Sequence, residues 1–198
     1  MADTTFITNE SNKKLKDRIA ELIGHSKELK FLVGFFYFSG IRELYSSLKN
    51  NPDIQLDVLV GLNVDKTVHG LSEYSDNTKG LTDKEKFEQF LISISKSINS
   101  DDFDNQTFCD QARFFIEAIE RDKLRIRKTY DPNHAKLYIF KMKDELADLK
   151  KSFFITGSSN LTKAGLSHQD EFNVEISDYG AKEAEDYFDK HFHHWEPP

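Results

Sequence analysis

Apolar residues recur along the chain with two periods, and their alternation predicts helices and buried strands in turn. Leu15, Ile19, Leu22 and Ile23 fall at helical spacing, so Asn12 to Ile23 is expected to be a helix with Ser11 as its cap. The apolar run from Lys30 to Phe38 suits a strand buried on both faces. Ser39 then caps a second helix through Lys49, which Asn50-Asn51-Pro52 ends. Gln55 to Val60 reads as another strand, with Gly61 after it. Helix and buried strand alternating in this way predict an α/β sandwich with a mixed sheet.

The polar stretch Asn63 to Thr82 reads as a long loop, of the kind that is often functional or mobile. Lys84 to Ile98 and Gln106 to Arg121 are expected to be helices, together forming an insertion on the sheet. Strands are expected at Leu124 to Arg127, Ala135 to Phe140, Phe153 to Thr156 and Phe172 to Ile176. Ala181 to Trp195 closes the chain as an amphipathic helix with Tyr187, Phe188, Phe192 and Trp195 on its apolar side.

The chain has 198 residues, enough for one domain over 1–198 that buries a full core without metals or disulfides. No apolar run approaches a membrane span, and the first residues lack the features of a signal peptide. A lone cysteine, Cys109, excludes an internal disulfide and is expected to be a small core hydrophobe. A cytoplasmic location is the default. The net charge of −7 argues against a protein whose whole surface binds nucleic acid. It leaves room for a local basic groove, because Arg121 to Lys151 carries 10 basic residues against 5 acids. Solvated strand faces are the plain account of that segment.

Chemistry enters within that segment. His134 and Lys136 stand two apart at the start of a strand and so share a face. An imidazole beside an ammonium suits an anionic phosphorus centre: one attacks or moves protons, the other neutralises non-bridging oxygens. A strand then runs into Gly157-Ser158-Ser159-Asn160. Gly157 allows close approach to the backbone, and the hydroxyls and the amide offer neutral donors to phosphate. Downstream, Glu171 offers a carboxylate able to orient His134, and Glu175 competes for that role from the same strand face.

His134-Ala135-Lys136-Leu137-Tyr138-Ile139-Phe140, then Ile155 to Leu166, then Glu171-Phe172-Asn173, resemble the phospholipase D superfamily. The likeness is greatest to the branch of metal-independent DNA endonucleases and of phospholipase D-like domains attached to bacterial helicases. It covers the last third of the chain. It implies an α/β/α sandwich with a mixed central sheet. It also implies His134 as a nucleophile forming a phosphohistidine, and Lys136 and Asn160 as phosphate ligands assisted by Ser158 or Ser159. Glu171 becomes the acid that holds the histidine. Such enzymes need two His-x-Lys motifs facing each other, and this chain has one, so a symmetric homodimer is implied, with the site across its two-fold axis. No metal and no cofactor are implied, because Lys and His supply the charge. The family motif has Asp where Lys141 stands, a departure that lowers the case for a lipid phospholipase more than that for a nuclease. The expected function is therefore a phosphodiesterase acting on DNA. The alternative is a non-catalytic nucleic-acid-binding module of a helicase or restriction system, and lipid transfer ranks last. Pro197-Pro198 closes the chain as a linker would, as in the N-terminal domain of a longer helicase-type protein.

Three features are set aside. His191, His193 and His194 read as a helix-end cation cluster rather than a metal site. Phe35, Phe36, Tyr37 and Phe38 are read as buried strand rather than a base-stacking surface. Tyr138 shares the face of His134 and Lys136, so it either lines the site or joins the core.

Overall fold

The computed structural model describes residues 6–10, 12–61, 105–147, 152–177 and 179–193. The loop expected at Asn63 to Thr82 and the helix expected at Lys84 to Ile98 lie outside them, as do Ser11, His194 and Trp195. The strands are β1 (Phe6–Ile7), β2 (Ser26–Val33), β3 (Gln55–Val60), β4 (Leu124–Lys128), β5 (Leu137–Met142), β6 (Ser152–Gly157) and β7 (Asn173–Ile176). They form one seven-stranded sheet in the order β1-β7-β6-β5-β2-β3-β4. β2, β3 and β4 run parallel, and the remaining pairs are antiparallel, so the sheet is mixed as expected.

The two faces of the sheet are covered unequally. One carries α1 (Leu15–His25), α2 (Phe38–Arg42), α3 (Tyr45–Lys49) and α4 (Asn105–Glu120) over Phe31, Val58, Tyr138 and Phe140. On the other, Leu32, Leu59 and Ile139 pack under Phe188 and Phe192 of the closing helix, α7 (Ala181–His193). α5 (Asp144–Ala147) and α6 (Lys163–Ser167) are single turns after β5 and β6. None of the described helices is long and apolar enough to cross a membrane.

Local chemistry corrects several expectations. Residue 14 caps α1 without a side-chain bond; Asn9 Oδ1 instead accepts from Leu15 N at 2.9 Å. Asn9 Nδ2 donates to Gly165 O at 2.8 Å, which ties this turn to α6. Cys109 is exposed, because α4 turns Phe108, Ala112 and Phe115 inward and Cys109 away. β2 ends at Val33, five residues short of the expected strand. Beyond it the chain stays extended along the end of β6, with Tyr37 N donating to Leu161 O at 3.1 Å. There Phe36 and Phe38 are buried while Phe35, Tyr37 and Ser39 are only half-buried. An apolar run hides this alternation, because Phe and Tyr read alike on either face.

Part of the basic segment is neutralised within the fold. Asp57, 2% exposed, receives Arg125 in a fork at 2.7 and 2.6 Å. Arg127 donates to Phe192 O and lies 4.4 Å from that ring. Lys141 bonds Glu185 at 2.5 Å and Glu28 at 2.9 Å. These contacts are structural.

Candidate active site

Parallel strands β2 and β3 end at the edge where β5 and β7 begin, and the expected site residues gather there. His134, Lys136, Ser158, Asn160 and Glu171 line one open cleft of about 850 Å³. Each is delivered by a different constraint. The segment before β5 is pinned by Asn133 N to Gly61 O at 2.6 Å and by Ala135 N to Asn133 Oδ1 at 2.9 Å. A Cβ on Gly61 would lie 1.9 Å from Asn133 O, so only glycine lets the His134 segment sit on the end of β3. Thr156 Oγ1 donates to Lys136 O at 2.8 Å, which fixes the same segment from β6.

His134 is exposed, whereas Lys136 is 4% exposed. The Lys136 ammonium donates to His134 O at 2.8 Å and lies 2.9 and 3.1 Å from the two ring nitrogens. An ammonium donates only to an unprotonated ring nitrogen, so it can donate to at most one of these two. Burial pulls the Lys136 pKa down, with Glu171 opposing through its charge. Among the described residues no carboxylate bonds Lys136. An ammonium short of counter-charge, set in a cleft, is prepared for an anionic ligand.

The turn after β6 departs from the expected donor set. Asn160 Oδ1 accepts from Phe35 N at 2.9 Å, which leaves its Nδ2 hydrogens for a ligand. Ser158 is committed: its hydroxyl donates to Glu171 and accepts from Phe172 N at 3.0 Å. Ser159 is fully buried, and its Oγ accepts from Asn173 Nδ2 at 2.9 Å. Ser158 would donate to phosphate only by releasing Glu171, and Ser159 only by turning out of the core. A hydroxyl has one proton, and Ser158 spends it on Glu171 while Ser159 faces the core. A Cβ on Gly157 would lie 2.3 Å from Phe172 O, so the turn is pressed against the start of β7.

Glu171 reaches the cleft but makes no bond to His134 among the described residues. Its competitor, Glu175, is held by Arg18 at 2.6 and 2.7 Å and lies outside the cleft. Tyr138 is core: fully buried, its hydroxyl donates to Ser159 O at 2.8 Å and so supports the turn from beneath. Lys141 does not line the cleft. It faces α7, so its presence in place of the family's Asp alters sheet–helix contacts and carries no argument about substrate. His191 lies 4.6 Å from the Tyr187 ring and His193 5.6 Å from that of Phe192. Among the described residues no cluster is suited to a metal ion.

Among the other cleft residues, Phe35 and Tyr37 were expected in a buried strand, and Lys163 and His168 were assigned no role. The last two come from α6 and its end, a five-residue turn too short to show a period. For the others the sequence offers no signal, because the apolar run hides the alternation of burial at Phe35, Tyr37 and Ser39.

Residues 19–195 match the family model described as cardiolipin synthase, PLD-like domain. The chain is similar to phosphatidylserine synthase from Haemophilus influenzae Rd KW20, at 16% identity and a TM-score of 0.51. That match covers 94% of this chain and 38% of the longer one, and it shows a shared fold. NucT from Helicobacter pylori is similar at 13% identity and a TM-score of 0.45, covering 88% of this chain and 85% of that one. Nuc from Salmonella typhimurium, a phospholipase D family member, is similar at 15% identity and a TM-score of 0.39, covering 88% and 82%. No curated protein matches the chain.

Proposed function

The chain belongs to the phospholipase D-like family, and on that footing we propose that it is a metal-independent phosphodiesterase, an endonuclease domain acting on DNA. The observation that carries the reading is the convergence of His134, Lys136, Asn160 and Glu171 on one cleft. A ring nitrogen of His134 attacks phosphorus; an N–P bond forms and the P–O bond to the leaving ester oxygen breaks. Lys136 and Asn160 Nδ2 hold the non-bridging oxygens as charge builds on them. A second copy of the chain, related by a two-fold axis, brings its own His134, which protonates the leaving oxygen. Water then attacks the phosphohistidine, gives its proton to that second imidazole and frees the first. Glu171 holds Ser158 and steadies the charge of Lys136. A helicase domain or subunit is the partner that would present DNA to the dimer.

The test is cleavage of plasmid and oligonucleotide substrates in EDTA, beside His134→Ala. Wild-type cleavage that the variant loses is the expected result; equal residual cleavage by both would sink the reading. Light scattering adds the dimer, and an active monomer would remove the two-fold site. The second reading is phosphatidyl transfer, favoured by the family model's cardiolipin synthase description and by the Haemophilus synthase. Phosphatidylglycerol vesicles in the same assay separate the two: headgroup exchange without oligonucleotide cleavage selects lipid.

A further inference from the structure

The cleft holds more than a phosphate site. Phe35 and Tyr37 line it beside Asn160, half-buried, whereas their neighbours Phe36 and Phe38 are in the core. Both are fixed by their backbones to the turn that carries the phosphate ligand. Phe35 N donates to Asn160 Oδ1 at 2.9 Å, and Tyr37 N donates to Leu161 O at 3.1 Å. Phe36 also pairs with Leu161 as an isolated parallel bridge. The main chain that carries the rings is therefore held against the Asn160 turn by hydrogen bonds. Two residues on one side of an extended chain are about 6.6 Å apart, twice the roughly 3.4 Å rise between stacked bases.

We propose that Phe35 and Tyr37 form a base-stacking surface, so that the cleft takes a single-stranded or unpaired nucleic-acid segment with one base against these rings and its adjoining phosphate at His134 and Lys136. The proposal rests on the phosphodiesterase reading above and narrows its substrate class. In a duplex both faces of a base are covered by its neighbours, so a ring at a phosphate site gains contact only with a base that has left the stack. Stacking of this kind accepts any base, which predicts strand preference without strong sequence preference. The cleft also contains Lys163 and His168, so a strand entering it meets further basic groups beyond Lys136.

The test is a binding cycle read by fluorescence anisotropy, with every protein in it carrying His134→Ala so that the strands stay uncut. It compares a labelled thymidine oligonucleotide with an abasic strand of the same length, for the wild-type stacking surface, Phe35→Leu and Phe35→Trp. Leucine keeps the backbone bond to Asn160 and the apolar bulk but removes the ring. Wild type is expected to bind the base-bearing strand about 10-fold more tightly than the abasic one. Phe35→Leu should lose that preference with the abasic affinity unchanged, and Phe35→Trp should restore it. Tyr37→Leu supplies a second variant with the same expected pattern, should Phe35→Leu fail to fold. Equal wild-type affinity for the two strands, or a loss in Phe35→Leu that is the same on both, overturns the stacking surface. If His134-dependent cleavage persists in that case, the nuclease reading survives alone. If wild type neither binds nor cuts either strand, both readings fall together.

Discussion

Two lysines five residues apart show the difference between a site and a scaffold. Lys136 and Lys141 both belong to the segment that builds β5, and both are largely removed from water. Lys141 meets Glu185 and Glu28. Burial opposes its charge, but the bonds to Glu185 and Glu28 outweigh burial and raise its pKa. Lys136 meets a histidine and a carbonyl, and burial lowers its pKa. The protein invests in satisfying one ammonium and leaves the other short of counter-charge. The second is the one that faces the cleft. A strongly basic stretch of sequence therefore says little until its partners are known, and one under-partnered lysine says more than several paired ones.

Exchanging each lysine for Met should separate the two roles. Lys136→Met is expected to lower cleavage by about 10³-fold or more while Tm stays at or above the wild-type value, because an unpaired buried charge is removed. If Tm instead falls by several degrees and cleavage persists, Lys136 belongs to the scaffold. Lys30 shares the acidic partners of Lys141: it bonds Asp189 at 2.7 Å and Glu185 at 3.1 Å, and its side chain is 6% exposed. Lys30→Met should cost about 3 kcal/mol in chemical denaturation, since it strands Asp189 on α7 and leaves Glu185 to Lys141 alone. Lys141→Met, at a more exposed position, should cost about 1–2 kcal/mol and leave cleavage within about threefold.

The two lysines should also answer pH in opposite senses. Burial works against the ionised form of Glu185, but hydrogen bonds from Lys141 and Lys30 hold its pKa below the usual value of 4.5. Its contribution is present above pH 4.5 and is lost as pH falls through the lower folded value. Lys30 and Lys141 are held above 10.5, so their contribution is present below that pH and is lost as pH rises past the folded values. Lys136 runs the other way: its cost is present at neutral pH and is relieved as pH rises through its lowered pKa. The Tm gap between wild type and Lys141→Met should therefore close in acid, and any gap for Lys136→Met should close in alkali. Scanning calorimetry across pH checks both. The smallest effect is expected from His168→Ala, within about twofold of wild-type cleavage and with Tm unchanged, because the second imidazole is assigned to the partner copy. A loss as large as that of His134→Ala would place both histidines of the reaction in one chain.

Much of the architecture was legible because its signals are periodic. Gln55 to Val60 is a strand with the expected bounds, and the helices at Leu15 and Ala181 lie where their apolar spacing puts them. The site was legible because His134 and Lys136 carry their chemistry in adjacent, same-side positions, and because a small-residue turn follows a strand. What was missed depends on partners that no local pattern records. Ser158 looks like a free donor until Glu171 is found to accept its proton, and Ser159 until it is found buried beneath Asn173. Lys141 looks like a comment on substrate until Glu185 is found beside it. Phe35 and Tyr37 vanish into an apolar run because the break in strand pairing at Val33 comes from Asn160 and Leu161, more than a hundred residues away.

The central claim is that His134 is the nucleophile of a cleft whose counter-charge is Lys136. It is tested most directly by quenching a reaction on a labelled oligonucleotide in alkaline denaturant, where a phosphohistidine survives, and mapping the label to a peptide. The account predicts label on His134 in wild type and in Lys141→Met, and none in His134→Ala or Lys136→Met. Oligonucleotide cleavage that proceeds with no label on His134, or with the label on another residue, would contradict it.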